Sequence, residues 1–203
     1  MRIGVLASHE GSVLQAILDA CDAPNPDARL CARVSVVISN NSESGAIRRA
    51  RDAGIRSVHL SSATHDDAAS LDRAITHCLD DAAVDLVVLA GYMKRLGPVT
   101  LARFKGRLIN THPSLLPKFG GSGYFGRRVH EAVIAAGERE SGATIHWVTG
   151  DYDSGPVIAQ VRVPIAENET AQTLETRVKA VERTLLIDTL RMLAKQYQTT
   201  RIA

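Results

Sequence analysis

Three cysteines, a 4% share of aromatic residues and the lack of any apolar run long enough to span a bilayer set the first limits on this 203-residue chain. Cys21, Cys31 and Cys78 are odd in number, show no C-x-x-C spacing and sit in apolar periodic segments. That pattern speaks against a disulfide framework and for reduced core thiols in a reducing compartment. Neither sign of charge dominates: 24 basic residues stand against 22 acidic ones, net +2, with no long like-charge block. No footprint for nucleic acid or a membrane surface results, and a small-molecule substrate is favoured. Arg2 leads directly into a short apolar segment with no signal-peptide pattern, so the expected location is cytoplasmic. There is no internal repeat, low-complexity tract or linker, and with 45% hydrophobic residues the chain reads as one domain over 1–203.

What is present is an alternation. Ile3 to Ala7 is a short apolar run, Ser8 to Ser12 supplies turn chemistry, and Val13 to Ala20 has helical spacing. The pattern recurs with a strand at Ala32 to Ile38, a helix at Ser44 to Ala53 closed by Gly54, and a strand at Ser57 to Leu60. Asp67 to Ala82 is an amphipathic helix with Leu71, Ile75, Cys78 and Leu79 on one stripe, and Asp85 to Leu89 a buried-type strand. Such alternation predicts a doubly wound α/β sheet with active residues gathered at the carboxyl ends of its strands. Further on, Arg107 to Thr111 reads as a strand, His112 to Phe125 as a Pro- and Gly-rich loop, and Gly126 to Ala136 as a helix. Strands at Ala143 to Val148 and Pro156 to Val163 flank the polar turn Gly150 to Gly155. Thr170 and Thr173 cap a final helix to about Gln196, with Leu174, Val178, Val181, Leu185 and Leu186 as its apolar stripe.

Three places stand out chemically. The loop Ser8-His9-Glu10-Gly11-Ser12 opens the first helix, where free N–H groups and the helix dipole favour an anion such as phosphate. Its single glycine matches neither G-x-G-x-x-G nor a P-loop, and an ordinary turn capped by Ser12 is the alternative. Asn110 and His112 lie two apart at a strand end, so both project to one side, and Pro113 keeps His112 extended. An amide donor beside an imidazole suits acyl transfer, the amide stabilising an oxyanion while the imidazole handles protons. Asp153 lies in the turn Asp151-Tyr152-Asp153-Ser154-Gly155-Pro156; near His112 its carboxylate would raise the imidazole pKa. The other histidines, His9, His59, His65, His77, His130 and His146, form no H-E-x-x-H or similar cluster, so no metal site is expected.

Asn110 to Pro117, the stretch Ala90-Gly91-Tyr92-Met93-Lys94-Arg95-Leu96 and the stretch Asp153-Ser154-Gly155-Pro156-Val157-Ile158 together resemble the folate-dependent glycinamide ribonucleotide transformylases, over about Arg2 to Leu193. The resemblance implies a mostly parallel, mixed seven-stranded sheet with helices on both faces, and no metal or bound cofactor beyond 10-formyltetrahydrofolate as cosubstrate. It implies that Asn110 and His112 are catalytic with Asp153 tuning the histidine, and that Gly11, Ser12 and Val13 cradle the ribonucleotide phosphate. Met93, Lys94, Arg95 and Leu96, with Asn110 and the turn from Gly150 and Asp151 to Asp153, would receive the folate, and Glu182 the ribonucleotide. The N-terminal half would thus bind phosphate and the C-terminal half folate, in a monomer or homodimer.

Departures from the family pattern are local. Val13 replaces an Asn, His9 and Glu10 replace a Gly-Asn pair, Ala68 replaces a folate-contacting Arg, and the loop Phe119 to Arg128 is long and glycine-rich. Formyltetrahydrofolate hydrolases and methionyl-tRNA formyltransferases share the catalytic residues but carry further domains, for which this chain is expected to leave no room. A non-catalytic nucleotide-binding module is a different class, and Asn110, His112 and Asp153 together argue against it.

Overall fold

The computed structural model describes residues 1–202, with side chains as far as Thr199. Strands and helices alternate as β1 (Arg2–Leu6), α1 (Ser12–Cys21), β2 (Arg33–Ser39), α2 (Gly45–Asp52), β3 (Ser57–His59), α3 (Ala68–Asp81), β4 (Leu86–Leu89), α4 (Pro98–Arg103) and β5 (Leu108–His112). Then come α5 (Arg127–Ala135), β6 (Glu140–Trp147), β7 (Val157–Pro164) and α6 (Ala171–Ile202). The seven strands form one sheet in the order β3-β2-β1-β4-β5-β6-β7. β1 pairs in parallel with β2 and β4, β2 pairs in parallel with β3, and β6 and β7 are antiparallel. This is the α/β sheet that the alternation predicts, mixed and mostly parallel as the family resemblance implies. The chain divides into two compact units, residues 1–109 with the chain from Leu190 onward, and residues 110–189. No helix among the described residues is long and apolar enough to cross a membrane.

In the first unit β1 lies between β2 and β4, and its Ile3, Val5 and Leu6 are wholly buried, as a continuous apolar run in a parallel sheet requires. The strand stops at Leu6, one residue short of the expected end, and β4 begins at Leu86 rather than Asp85. Asp85 instead accepts the Arg2 backbone N–H at 2.7 Å and pairs with its guanidinium at 3.3 Å. Ser44 and Asp67 cap α2 and α3 by accepting from Ile47 and Ser70.

Helix α4 has no counterpart in the sequence reading. It is six residues long with Pro98 in its first turn, and its cap comes from a distant residue. The buried Asp72 carboxylate accepts from Val99 N at 2.7 Å, Thr100 N at 3.1 Å and Thr100 Oγ1 at 2.5 Å. A local reading looks for the cap beside the helix, and here it lies on α3. Of the three thiols, Cys78 is buried, Cys21 half-buried and Cys31 exposed, so the core-thiol expectation is corrected for Cys31.

In the second unit β6 and β7 pair from Glu140↔Pro164 to His146↔Val157. Val133, Ala143, Val163, Leu174 and Val178 form its core, with Val181 and Leu185 packed against it only partly buried. Thr170 Oγ1 accepts from Thr173 N at 3.2 Å as α6 begins, and the helix runs on to Ile202, past the expected Gln196.

His130 on α5 is wholly buried, and neither ring nitrogen has a hydrogen-bond partner. Burial pushes its pKa down to about 4, against the pull of Glu175, with Lys179 and His112 adding to the depression. The unfolded chain takes up this proton near the ordinary histidine value of about 6.5. Stability is therefore present above pH ~6.5 and is lost as pH falls towards about 4, by a few kcal/mol. Urea unfolding across that range is expected to show the decline, and His130→Leu to remove most of it; an unchanged slope in the variant would assign the decline to other groups.

Candidate active site

Within the second unit, four side chains meet. Asn110 and His112 stand at the carboxyl end of β5, His146 near the end of β6, and Asp153 in the turn before β7. His112 Nε2 donates to the Phe119 carbonyl at 2.7 Å, while its Nδ1 lies 3.3 Å from Asp153 Oδ2. The other carboxylate oxygen, Oδ1, accepts from Asn110 Nδ2 at 3.2 Å and lies 3.4 Å from His146 Nε2; Oδ2 also accepts from Gly121 N at 2.9 Å. His112 and His146 are 4% and 2% exposed, so these contacts act in a dry environment where each weighs more than in water.

His146 fixes the orientation of the Asn110 amide. Its Nδ1 lies 2.9 Å from the Trp147 carbonyl and must carry the proton there, which leaves Nε2 as an acceptor for Asn110 Nδ2 at 3.1 Å. Both Nδ2 hydrogens of Asn110 are then committed, one to His146 and one to Asp153. The sequence reading left His146 among histidines without a cluster. The available signal was a polar alternation in a buried strand, since Thr144 and His146 share a face of β6.

Thr144 explains how the preceding segment is held. Its hydroxyl donates to Ser114 O at 2.6 Å and accepts from Leu116 N at 3.1 Å and Gln160 Nε2 at 2.9 Å. Two backbone features aim the other groups. Asp153 has φ 53 and Phe119 φ 54, left-handed conformations that cost about 1 kcal/mol or more and are least tolerated by bulky residues. Phe119 adopts it where its carbonyl meets His112, Asp153 where its carboxylate meets both histidines. Two residues on, a Cβ at Gly155 would stand 1.7 Å from the Trp147 carbonyl oxygen, so only glycine lets this turn close on β6.

Burial is the largest influence on His112 and holds its pKa below the ordinary histidine value; the Asp153 charge and the Phe119 carbonyl offset only part of it. The sequence reading expects a raised value. Asp153 acts in the expected direction, and desolvation outweighs it. On Asp153 itself burial pushes upward, but its close approach to His146, the charge of His112 and the Gly121 N–H hold it below the usual carboxylate range. Glu182 is 7% exposed on α6; burial raises its pKa, opposed by the Thr111 hydroxyl and the charges of Lys179 and Arg183.

In the first unit the loop after β1 holds the residues expected to receive the phosphate. Gly11 is the N-cap of α1 with φ 71, and no side chain caps the helix, so Ser12 is its first residue and not its cap. The first-turn N–H groups from Ser12 and Val13 onward carry the positive end of the helix dipole. A Cβ on Gly11 would lie 2.7 Å from Ala46 Cα, so the loop rests directly on α2. From α2, Arg49 donates to the Glu10 carbonyl and to Gln15 Oε1, each at 2.8 Å. The Glu10 side chain, 80% exposed, lies 3.9 Å from the Arg48 guanidinium.

The expected folate contacts lie in both units. In the first, Met93 N donates to Ser8 Oγ at 2.8 Å, Leu96 is buried, and Lys94 and Arg95 are exposed. In the second, Gly150 has φ 156 and Asp151 is exposed. Among the described residues no group of three or more His, Cys, Asp or Glu stands where it could hold a metal ion.

The family model described as formyl transferase matches residues 1–190. Phosphoribosylglycinamide formyltransferase of Escherichia coli (strain K12) is 38% identical over 185 residues, 91% of this chain and 83% of that protein. Its namesake from Mycobacterium tuberculosis (strain ATCC 25618 / H37Rv) is 39% identical over 193 residues, 95% of this chain and 85% of that protein. The crystal structure of glycinamide ribonucleotide transformylase 1 from Symbiobacterium toebii superposes with a TM-score of 0.88 at 37% identity, covering 97% of this chain and 88% of that one. A mixed seven-stranded sheet and a match through residue 190 lead to the same place, and the chain belongs to the formyl transferase family.

Proposed function

We propose that the protein transfers the formyl group of 10-formyltetrahydrofolate to the amine of N1-(5-phospho-D-ribosyl)glycinamide, a step of purine biosynthesis carried out in the cytoplasm without a resident metal. What carries the reading is the buried Asn110–His112–Asp153 cluster in a member of this family whose relatives bear that activity in their names. The amine nitrogen attacks the formyl carbon, forming the new C–N bond and placing negative charge on the formyl oxygen. His112 and the Asn110 amide stabilise that charge. The bond to the folate nitrogen then breaks, its electron pair leaves with that nitrogen, and the proton lost by the amine ends there. Asn110 trades its 3.2 Å bond to Asp153 for the oxyanion, and His112 trades the Phe119 carbonyl for it. Gly11, Ser12 and Val13 take the ribonucleotide phosphate, Glu182 the rest of that substrate, and Met93 to Leu96, Gly150 and Asp151 the folate.

The test is a formyl-transfer assay with the ribonucleotide and with the ribonucleoside that lacks the 5′-phosphate. Loss of the charge-assisted bonds at the α1 N-terminus is expected to lower kcat/KM by roughly one to two orders of magnitude, mostly through KM. Equal values for both compounds would remove the phosphate assignment, and no transfer to either would remove the function.

A further inference from the structure

The loops that follow β1, β2 and β4 meet at one buried hydroxyl in the first unit. Ser8 is 3% exposed; its Oγ donates to Asn40 Oδ1 at 2.5 Å and accepts the Met93 N–H at 2.8 Å. Asn40 stands just beyond β2, and Met93 opens the segment assigned to the folate. Three residues past Ser8 comes Gly11, the first of those assigned to the phosphate. We propose that Ser8 is a positioning residue shared by both substrates, its hydroxyl tying the phosphate loop to the folate segment so that filling either site favours filling the other. The proposal rests on the functional reading above and adds to it a link between the two sites.

Such a link requires that the hydroxyl be committed and that the loop not absorb motion by bending. Both conditions are met. With its one proton held by Asn40, the hydroxyl directs a lone pair to the Met93 N–H, and neither bond is readily exchanged for water at a buried residue. Beyond Ser8 the backbone is held at each residue as far as Gly11. The His9 carbonyl accepts from Ala46 N at 3.1 Å, and the Glu10 carbonyl accepts from Arg49 Nε at 2.8 Å. A Cβ on Gly45 would come within 2.6 Å of that Glu10 oxygen, and one on Gly11 within 2.7 Å of Ala46 Cα, so loop and helix α2 touch backbone to backbone. The residues from Ser8 to Gly11 therefore move as one body, since packing this close leaves no room for them to bend. A folate that holds Met93 to Leu96 in place also holds the Met93 N–H, through it Ser8, and through the loop the first-turn N–H groups of α1. Ordering done by the first ligand is not repeated by the second, and by thermodynamic reciprocity each tightens the other by the same factor.

The experiment measures binding to the whole chain by titration calorimetry, with the ribonucleotide and with tetrahydrofolate, the product that has no formyl group to transfer. Each is titrated alone and with the other present at saturation. In the unsubstituted protein each Kd is expected to fall about five- to tenfold when the other ligand is bound. Ser8→Ala is expected to bring that factor to about one for both ligands. This variant keeps the backbone bonds from Ala7 N to Ile38 O at 3.0 Å, from Ser8 N to Gly91 O at 3.2 Å and from Ala90 N to Leu6 O at 2.8 Å, so the loops stay on the sheet. Asn40→Ala frees the same hydroxyl from its other side and is expected to lower the factor in the same direction. A merely structural loss weakens both affinities and leaves their ratio as it was, which is why the ratio is the readout. Equal Kd values with and without the other ligand in the unsubstituted protein, or a factor that survives unchanged in either variant, would overturn the link and leave the functional reading standing. Binding of neither ligand would remove both.

Discussion

Replacing His112 by alanine is expected to lower kcat by roughly 10²–10⁴, the range for a positioned proton-handling group, with KM for both substrates changed far less. The expectation follows from where the ring points. Its Nε2–H meets a backbone carbonyl in the free protein, and in the proposed reaction the formyl oxygen is the acceptor that replaces it. The interaction is thus made fully only as charge develops, which is the condition for an effect on kcat instead of on binding. Asp153 keeps the Gly121 N–H and the Asn110 amide when the ring is gone, so its buried carboxylate is not left without partners. The variant should therefore remain folded, and thermal unfolding checked beside single-turnover rates separates lost chemistry from lost structure. A kcat within tenfold of the unsubstituted protein would remove His112 from the reaction.

Fold and site were legible to different depths. Continuous apolar runs between helical patterns suffice for a doubly wound sheet, because parallel strands buried on both faces have few other sequences open to them. Asn110 and His112 could be placed together because both lie on one strand, where spacing fixes direction. Asp153 could not be brought to them by spacing. Its approach depends on a left-handed residue and on a glycine that closes against Trp147, and neither leaves a periodic trace. The cap of α4 by Asp72 and the tautomer of His146 are likewise long-range facts. Burial was the other blind spot. The sequence names the carboxylate that pulls the histidine pKa up, but the desolvation that pulls it down depends on the packed site.

That last correction changes how the pH profile must be read. The proposed transfer requires a protonated His112 and a neutral amine, and the population meeting both conditions is a product of two fractions. If the histidine pKa lay above that of the amine, His112 would govern the alkaline limb. Burial holds it below the ordinary value of about 6.5, whereas an amine of this kind titrates nearer 8, so the order is reversed. The rate then rises with pH through the lower value and falls through the higher, although the two groups act in the opposite protonation states. The ascending limb of kcat follows His112 and the descending limb the bound amine. Asp153→Asn keeps the shape and removes the one carboxylate that raises the histidine, so the pKa of His112 falls further. The ascending limb is expected to move to lower pH while the descending limb stays. Each unit of added separation lowers the competent population about tenfold at the optimum. With the loss of the His112 orientation added, kcat at its maximum should fall by roughly 10²–10³. A profile in which the ascending limb stays in place would show that Asp153 does not tune His112, and a shift of the descending limb alone would return His112 to the higher pKa.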